Sequence, residues 1–149
     1  MTTLDNTLTL APFSEGPAPI AVSKGARWTG RTLSTIVGLF LGFDALMKLL
    51  QVEPVIKATV ELGYHTHAAF GIGVILTLCL FAYAIPRTSI LGAVLLTGYL
   101  GGAIATHLRV SDPLWTHTLF PVYVAAIVWG GLVLRDGRLR TFLRIPTAA

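Results

Sequence analysis

Cysteine and charge are the two things this chain is short of. A single cysteine, Cys79, rules out an intramolecular disulfide and a Cys-x-x-Cys redox couple. Charged side chains make up 12% of the residues against 54% hydrophobic ones, and a water-soluble fold would have nowhere to hide that much apolar surface. Metal and haem signatures are missing too. There is no His-Glu-x-x-His and no Cys-x-x-Cys-His, and the four histidines, His65, His67, His107 and His117, match no recognised ligand spacing. A bound metal or haem is therefore not expected. No glycine-rich run precedes a Lys-Ser or Lys-Thr pair, so a nucleotide-binding loop is not expected either. Residues 1–28 lack a basic segment followed by an apolar one and read as a flexible tail, not a secretory signal.

What is present is long apolar sequence. Four stretches, residues 32–50, 67–85, 89–107 and 114–134, are each close to the roughly 20 residues a helix needs to cross a bilayer. The last three contain no Asp, Glu, Lys or Arg, so the polar stripe of a water-facing helix is absent. The net charge of +4 follows the same layout instead of marking a nucleic-acid partner. Lys24, Arg27, Arg31, Arg87, Arg135, Arg138, Arg140 and Arg144 fall on one side of the four stretches, and only Lys48, Lys57 and Arg109 fall on the other. The expected fold is an all-α transmembrane four-helix bundle over residues 29–143 with both termini cytoplasmic, a short surface helix over about 53–62, and a C-terminal tail over 144–149. The turn Pro86-Arg87-Thr88 makes the second and third spans antiparallel neighbours, and Pro121 predicts a kink near Leu119.

Two glycine pairs at small-x-x-x-small spacing, Gly38/Gly42 and Gly98/Gly102, predict close helix packing within the chain or between copies of it. Asp44 and Lys48 stand one turn apart near the far end of the first span, where intramembrane charges face a bundle interior or a wet cavity. The plainer reading is that Lys48 snorkels to the interface and Asp44 neutralises it. On the same side lie His65, His67, Thr106, His107, Arg109 and His117, a layer that suits the mouth of a binding cavity or an ordinary interfacial belt. Ser34 and Ser89 lie on the opposite side from the histidines, which disfavours a hydrolase arrangement.

Several segments together resemble the DoxX-like family of small bacterial four-helix membrane proteins. They are Pro86-Arg87-Thr88, the run Leu95-Leu96-Thr97-Gly98-Tyr99-Leu100-Gly101-Gly102-Ala103, the block Ala105-Thr106-His107-Leu108-Arg109, residues 117–121, and Trp129-Gly130-Gly131-Leu132 with Leu134-Arg135-Asp136. The resemblance runs from Arg31 to Leu143 and implies a multi-pass protein of the bacterial inner membrane. Relatives bearing the name are linked to quinone-reducing sulfur oxidation and to redox-stress complexes. Family motif positions fall on Lys48, Thr97, Tyr99, His107, Arg109 and His117; with Asp44 these are the candidate pocket. The expected function is a redox-associated accessory subunit that binds a quinone or similar lipophilic ligand near the outer leaflet, beside a membrane redox partner or a second copy held through Gly98/Gly102. A small-solute or proton transporter, and a purely structural assembly partner, are the alternatives.

Overall fold

In the computed structural model, residues 21–143 are described, and every regular element among them is helical. Most of the N-terminal tail expected over 1–28, and all of the tail expected over 144–149, lie outside these residues. Helix α1 (Lys24–Leu49) starts within the stretch read as tail, because Ser23 caps it by accepting a hydrogen bond from the Ala26 amide at 3.2 Å. There follow α2 (Glu53–Glu61), α3 (Ala68–Ala84), α4 (Ser89–Arg109), a π-helical turn (Leu114–Thr118), α5 (Phe120–Arg135) and α6 (Gly137–Leu143).

Four long helices close into a ring in which α1 packs on α3 and α5, and α4 packs on the same two from the opposite corner. Their buried residues recur every three or four positions: Val37, Leu41 and Ala45 on α1, Leu76, Cys79 and Tyr83 on α3, Ala93, Leu96 and Leu100 on α4, Val124, Val128 and Leu132 on α5. That period is the one that keeps a single stripe of an α-helix turned inward. The other stripes are apolar as well. Leu39, Phe43, Leu78 and Phe81 are each more than 60% exposed, an inside-out pattern that only a lipid surround makes favourable. α1, α4 and the unbroken run Leu114–Arg135 are long and apolar enough to cross a membrane, while α3 is apolar but has 17 residues.

Close packing is set by glycines other than those singled out by spacing. A Cβ on Gly92 would lie 2.2 Å from the Tyr83 amide nitrogen, one on Gly30 would lie 2.8 Å from the Gly131 carbonyl, and one on Gly73 would lie 3.2 Å from the Leu49 nitrogen. These bring α4 onto α3, α1 onto α5 and α3 onto α1. Gly38, Gly42, Gly98 and Gly102 would meet nothing within 4 Å, so the close contact expected of them is not made inside the chain. Spacing alone identifies a smooth face, but the buried stripe of each helix decides which smooth face is used.

The two ends of the bundle differ in chemistry. At the basic end, the α3–α4 turn is tied by the Thr88 hydroxyl donating to the Ala82 carbonyl at 2.8 Å, and by Arg138 Nη2 donating to the Pro86 carbonyl at 2.7 Å. At the other end, which carries the histidines, α2 lies across the bundle against α1 and α3. Pro121 falls in the first turn of α5, where its missing amide hydrogen costs no helical bond. The helical pattern changes from π to α at Leu119, just ahead of it.

Candidate functional site

A cavity of about 490 Å³ opens at the histidine end, between α1, α3, α4, α5 and the α2–α3 connection. Its inner wall is apolar, built from Phe40, Ile72, Ile75, Leu100, Phe120 and Val124. Its outer part is polar, built from Asp44, Lys48, Tyr64, Tyr99, Thr106 and His107. Gly98 and Gly102 also line it. Since a Cβ at either would meet nothing, the missing side chains of these two glycines contribute room to the cavity.

Asp44 and Lys48 form a salt bridge along one face of α1, and the Lys48 side chain is only 17% exposed. Lys48 thus turns onto its neighbour and into the cavity wall instead of reaching away along the helix surface. An ammonium has three hydrogens, so the ion pair leaves Lys48 with donors to spare. Among the described residues no group hydrogen-bonds the Tyr99 hydroxyl, although its ring packs against the core. His107 is anchored from below: its Nδ1 lies 2.6 Å from Oδ2 of Asp112, in the connection after α4.

A clamp holds the cavity's mouth in place. Arg109 Nη2 donates to the Leu62 carbonyl at 2.6 Å, and its guanidinium stands 5.7 Å from the centre of the Tyr64 ring. Thr106 donates its only hydroxyl hydrogen to the Gly102 carbonyl at 2.9 Å, so the 2.8 Å contact between Tyr64 and Thr106 has the phenol as donor. Between these residues Gly63 adopts φ +82°, in the left-handed region, and a Cβ there would stand 3.0 Å from the Arg109 guanidinium. Glycine at position 63 suits both this turn and the close approach of Arg109.

The seven candidate residues separate on this geometry. Asp44, Lys48, Tyr99 and His107 line the cavity, and Arg109 fastens its rim without lining it. Thr97 is elsewhere: it donates to the Ala93 carbonyl at 2.8 Å and accepts from Trp129 Nε1 at 2.9 Å, joining α4 to α5. His117 is exposed, with its Nδ1 on the Thr116 hydroxyl at 2.9 Å and its ring 6.1 Å from that of His107. His65 and His67 are exposed and outside the cavity. No three His, Cys, Asp or Glu side chains converge as a metal site among the described residues. Asp112 is the residue that sequence reasoning missed; it follows His107 by five positions, across a helix end, where no face periodicity points to it.

An apolar-skinned helical bundle with a two-sided cavity of this kind is a helical membrane protein. The DoxX-like family model matches residues 32–131, about two thirds of the chain, and the chain belongs to that family. No curated protein and no solved structure matches it.

Proposed function

We propose that this DoxX-like protein is a four-span subunit of a bacterial inner membrane that binds a lipophilic ring compound of the quinone class in the cavity at its histidine end, beside a redox partner. The observation that carries the reading is the division of the cavity. Its apolar wall suits a ring and a hydrocarbon tail, while Lys48, Tyr99 and His107 bring three hydrogen-bonding groups to the opposite part, as two ring oxygens require. A volume of about 490 Å³ is in the range of small-molecule sites. The chain's one cysteine is buried in α3, so electrons would be carried by the bound molecule or the partner.

The same reading takes α3 as the fourth span, its 17 residues being extended by the turns on either side. The basic end then faces the cytoplasm, since among the described residues it carries Lys24, Arg27, Arg31, Arg87, Arg135, Arg138 and Arg140 against Lys48, Lys57 and Arg109 at the other, and the cavity opens toward the outer leaflet. Gly98 and Gly102 serve the ligand by making room, in place of a contact with a second copy. The test is mass analysis of lipids extracted from detergent-purified protein, with an optical spectrum and a titration with a short-tailed quinone. One quinone per chain, lost in Gly98→Leu, is the expected result. An empty protein that also fails to bind the added quinone would refute the proposal.

A further inference from the structure

We infer that the basic end of the bundle holds a second site, distinct from the cavity and independent of its ligand, which takes the phosphate group of an anionic phospholipid. Arg31 on α1, the α3–α4 turn at Pro86 and Ser89, and the α5–α6 junction at Arg135, Asp136 and Arg138 enclose a cavity of about 270 Å³. Three guanidinium groups thus meet one carboxylate. Among the described acidic residues Asp136 alone belongs to this end, and it is engaged with Arg138 at 3.2 Å.

Two of the arginines are held in place, Arg135 by partners that leave its charge intact and Arg138 by a carbonyl together with Asp136. Arg135 Nη2 donates to the Tyr83 carbonyl at 3.1 Å, and its guanidinium stands 4.8 Å from the Tyr83 ring centre. Arg138 Nη2 donates to the Pro86 carbonyl at 2.7 Å. A carbonyl and a ring face orient the Arg135 guanidinium without neutralising it, so most of its five N–H donors stay available for an anion, whereas Arg138 also donates from Nε and Nη2 to the two Asp136 carboxylate oxygens and keeps its Nη1 hydrogens for an anion. Arg31 has no hydrogen-bond or ion-pair partner among the described residues. A simple run of solvated basic residues would not need two of its members fixed to a turn around a cavity; a forked donor set around a cavity matches a phosphate.

The placement favours a lipid as the source of that phosphate. The cavity lies where α3 ends at Ala84, α4 begins at Ser89 and α5 ends at Arg135, which is the level at which apolar helix gives way to headgroups. Trp28, 70% exposed and one turn before Arg31, and Phe142, 83% exposed on α6, offer apolar surface on the flanking elements.

The experiment uses full-length protein, delipidated in detergent and titrated with phosphatidylglycerol, with phosphatidylcholine and with inorganic phosphate, bound species being counted by native mass spectrometry. Phosphatidylglycerol is expected to bind in preference to the zwitterionic lipid, and Arg31→Gln and Arg138→Gln are each expected to weaken it roughly fivefold. Lys24→Gln, a basic residue of the same end that does not line the cavity, is expected to change the affinity little. Displacement of the lipid by millimolar inorganic phosphate would support the phosphate site and overturn the lipid as its source. Equal binding of the two lipids, or undiminished phosphatidylglycerol binding in the Arg31→Gln/Arg138→Gln double variant, overturns the site. Arg31→Gln removes no contact within the described residues, so its folding, checked by gel filtration, is expected to match the parent.

Discussion

The Ser34 hydroxyl on α1 donates to the Tyr83 hydroxyl on α3 at 2.9 Å, and the direction is fixed because Tyr83 spends its own hydrogen on the Val128 carbonyl of α5, also at 2.9 Å. Three helices are thereby joined through one buried phenol. In an apolar surround an orphaned hydroxyl finds no water, so truncating the node removes a link and strands Ser34. Tyr83→Phe is expected to destabilise the bundle by about 1–2 kcal/mol, and Ser34→Ala by less. A double-mutant cycle by denaturant unfolding in mixed micelles should show the two effects to be less than additive.

Glycine positions divide into those that hold helices together and those that do not. Gly92→Ala would drive a methyl into the Tyr83 backbone, which cannot yield as a flexible side chain would, and is expected to cost about 3 kcal/mol or more. Gly102→Ala meets nothing within 4 Å and should leave the melting temperature within a degree or two of the parent, an effect of less than about 0.5 kcal/mol. Thermal unfolding followed by light scattering checks both. Equal effects would mean that the helix contacts are not those described.

Much of this layout follows from sequence, for reasons that can be stated. Uncharged runs in residues 67–85 and 89–107 leave helix as the only backbone that satisfies itself in lipid, so the fold class is legible. Asp44 and Lys48 are four apart and necessarily share a face, as the salt bridge shows. Thr97 and Tyr99, by contrast, are two apart and so about 200° apart around α4; Tyr99 lines the cavity and Thr97 is turned to Trp129. Asp112 and the Ser34/Tyr83 node lay beyond such reasoning, because a partner across a helix end or on another helix leaves no periodic trace.

The Asp44/Lys48 pair is expected to be worth more to the fold as a pair than either member alone. Lys48 is the more enclosed, and removing its carboxylate leaves a largely enclosed cation without its counter-charge. Asp44→Asn is expected to cost about 1–2 kcal/mol, less than a fully buried pair would because Asp44 remains partly exposed. Asp44→Asn with Lys48→Met should recover part of the loss, since no charge is then left unpaired. Unfolding of Asp44→Asn, Lys48→Met and the double variant in the same detergent provides the comparison, and a double variant as unstable as the sum of the singles would show the two residues to be independent.

Room in the cavity depends on what Gly98 lacks. A Cβ there finds open space on the side of the cavity, so Gly98→Leu is expected to fold with a melting temperature close to the parent's. It is nevertheless expected to abolish ligand binding, because a four-carbon side chain takes roughly 100 Å³ from a cavity of about 490 Å³, between its apolar and polar parts. Tyr99→Phe tests the other half of the cavity, removing a hydroxyl that no described residue hydrogen-bonds while leaving the ring in the core. If that hydroxyl meets a ligand oxygen, affinity falls roughly tenfold with no loss of stability, as expected for one hydrogen bond. Titration of both variants beside the parent protein, with unfolding measured on the same samples, separates a filled cavity from a damaged fold. Retained binding in Gly98→Leu would place the ligand elsewhere on the bundle.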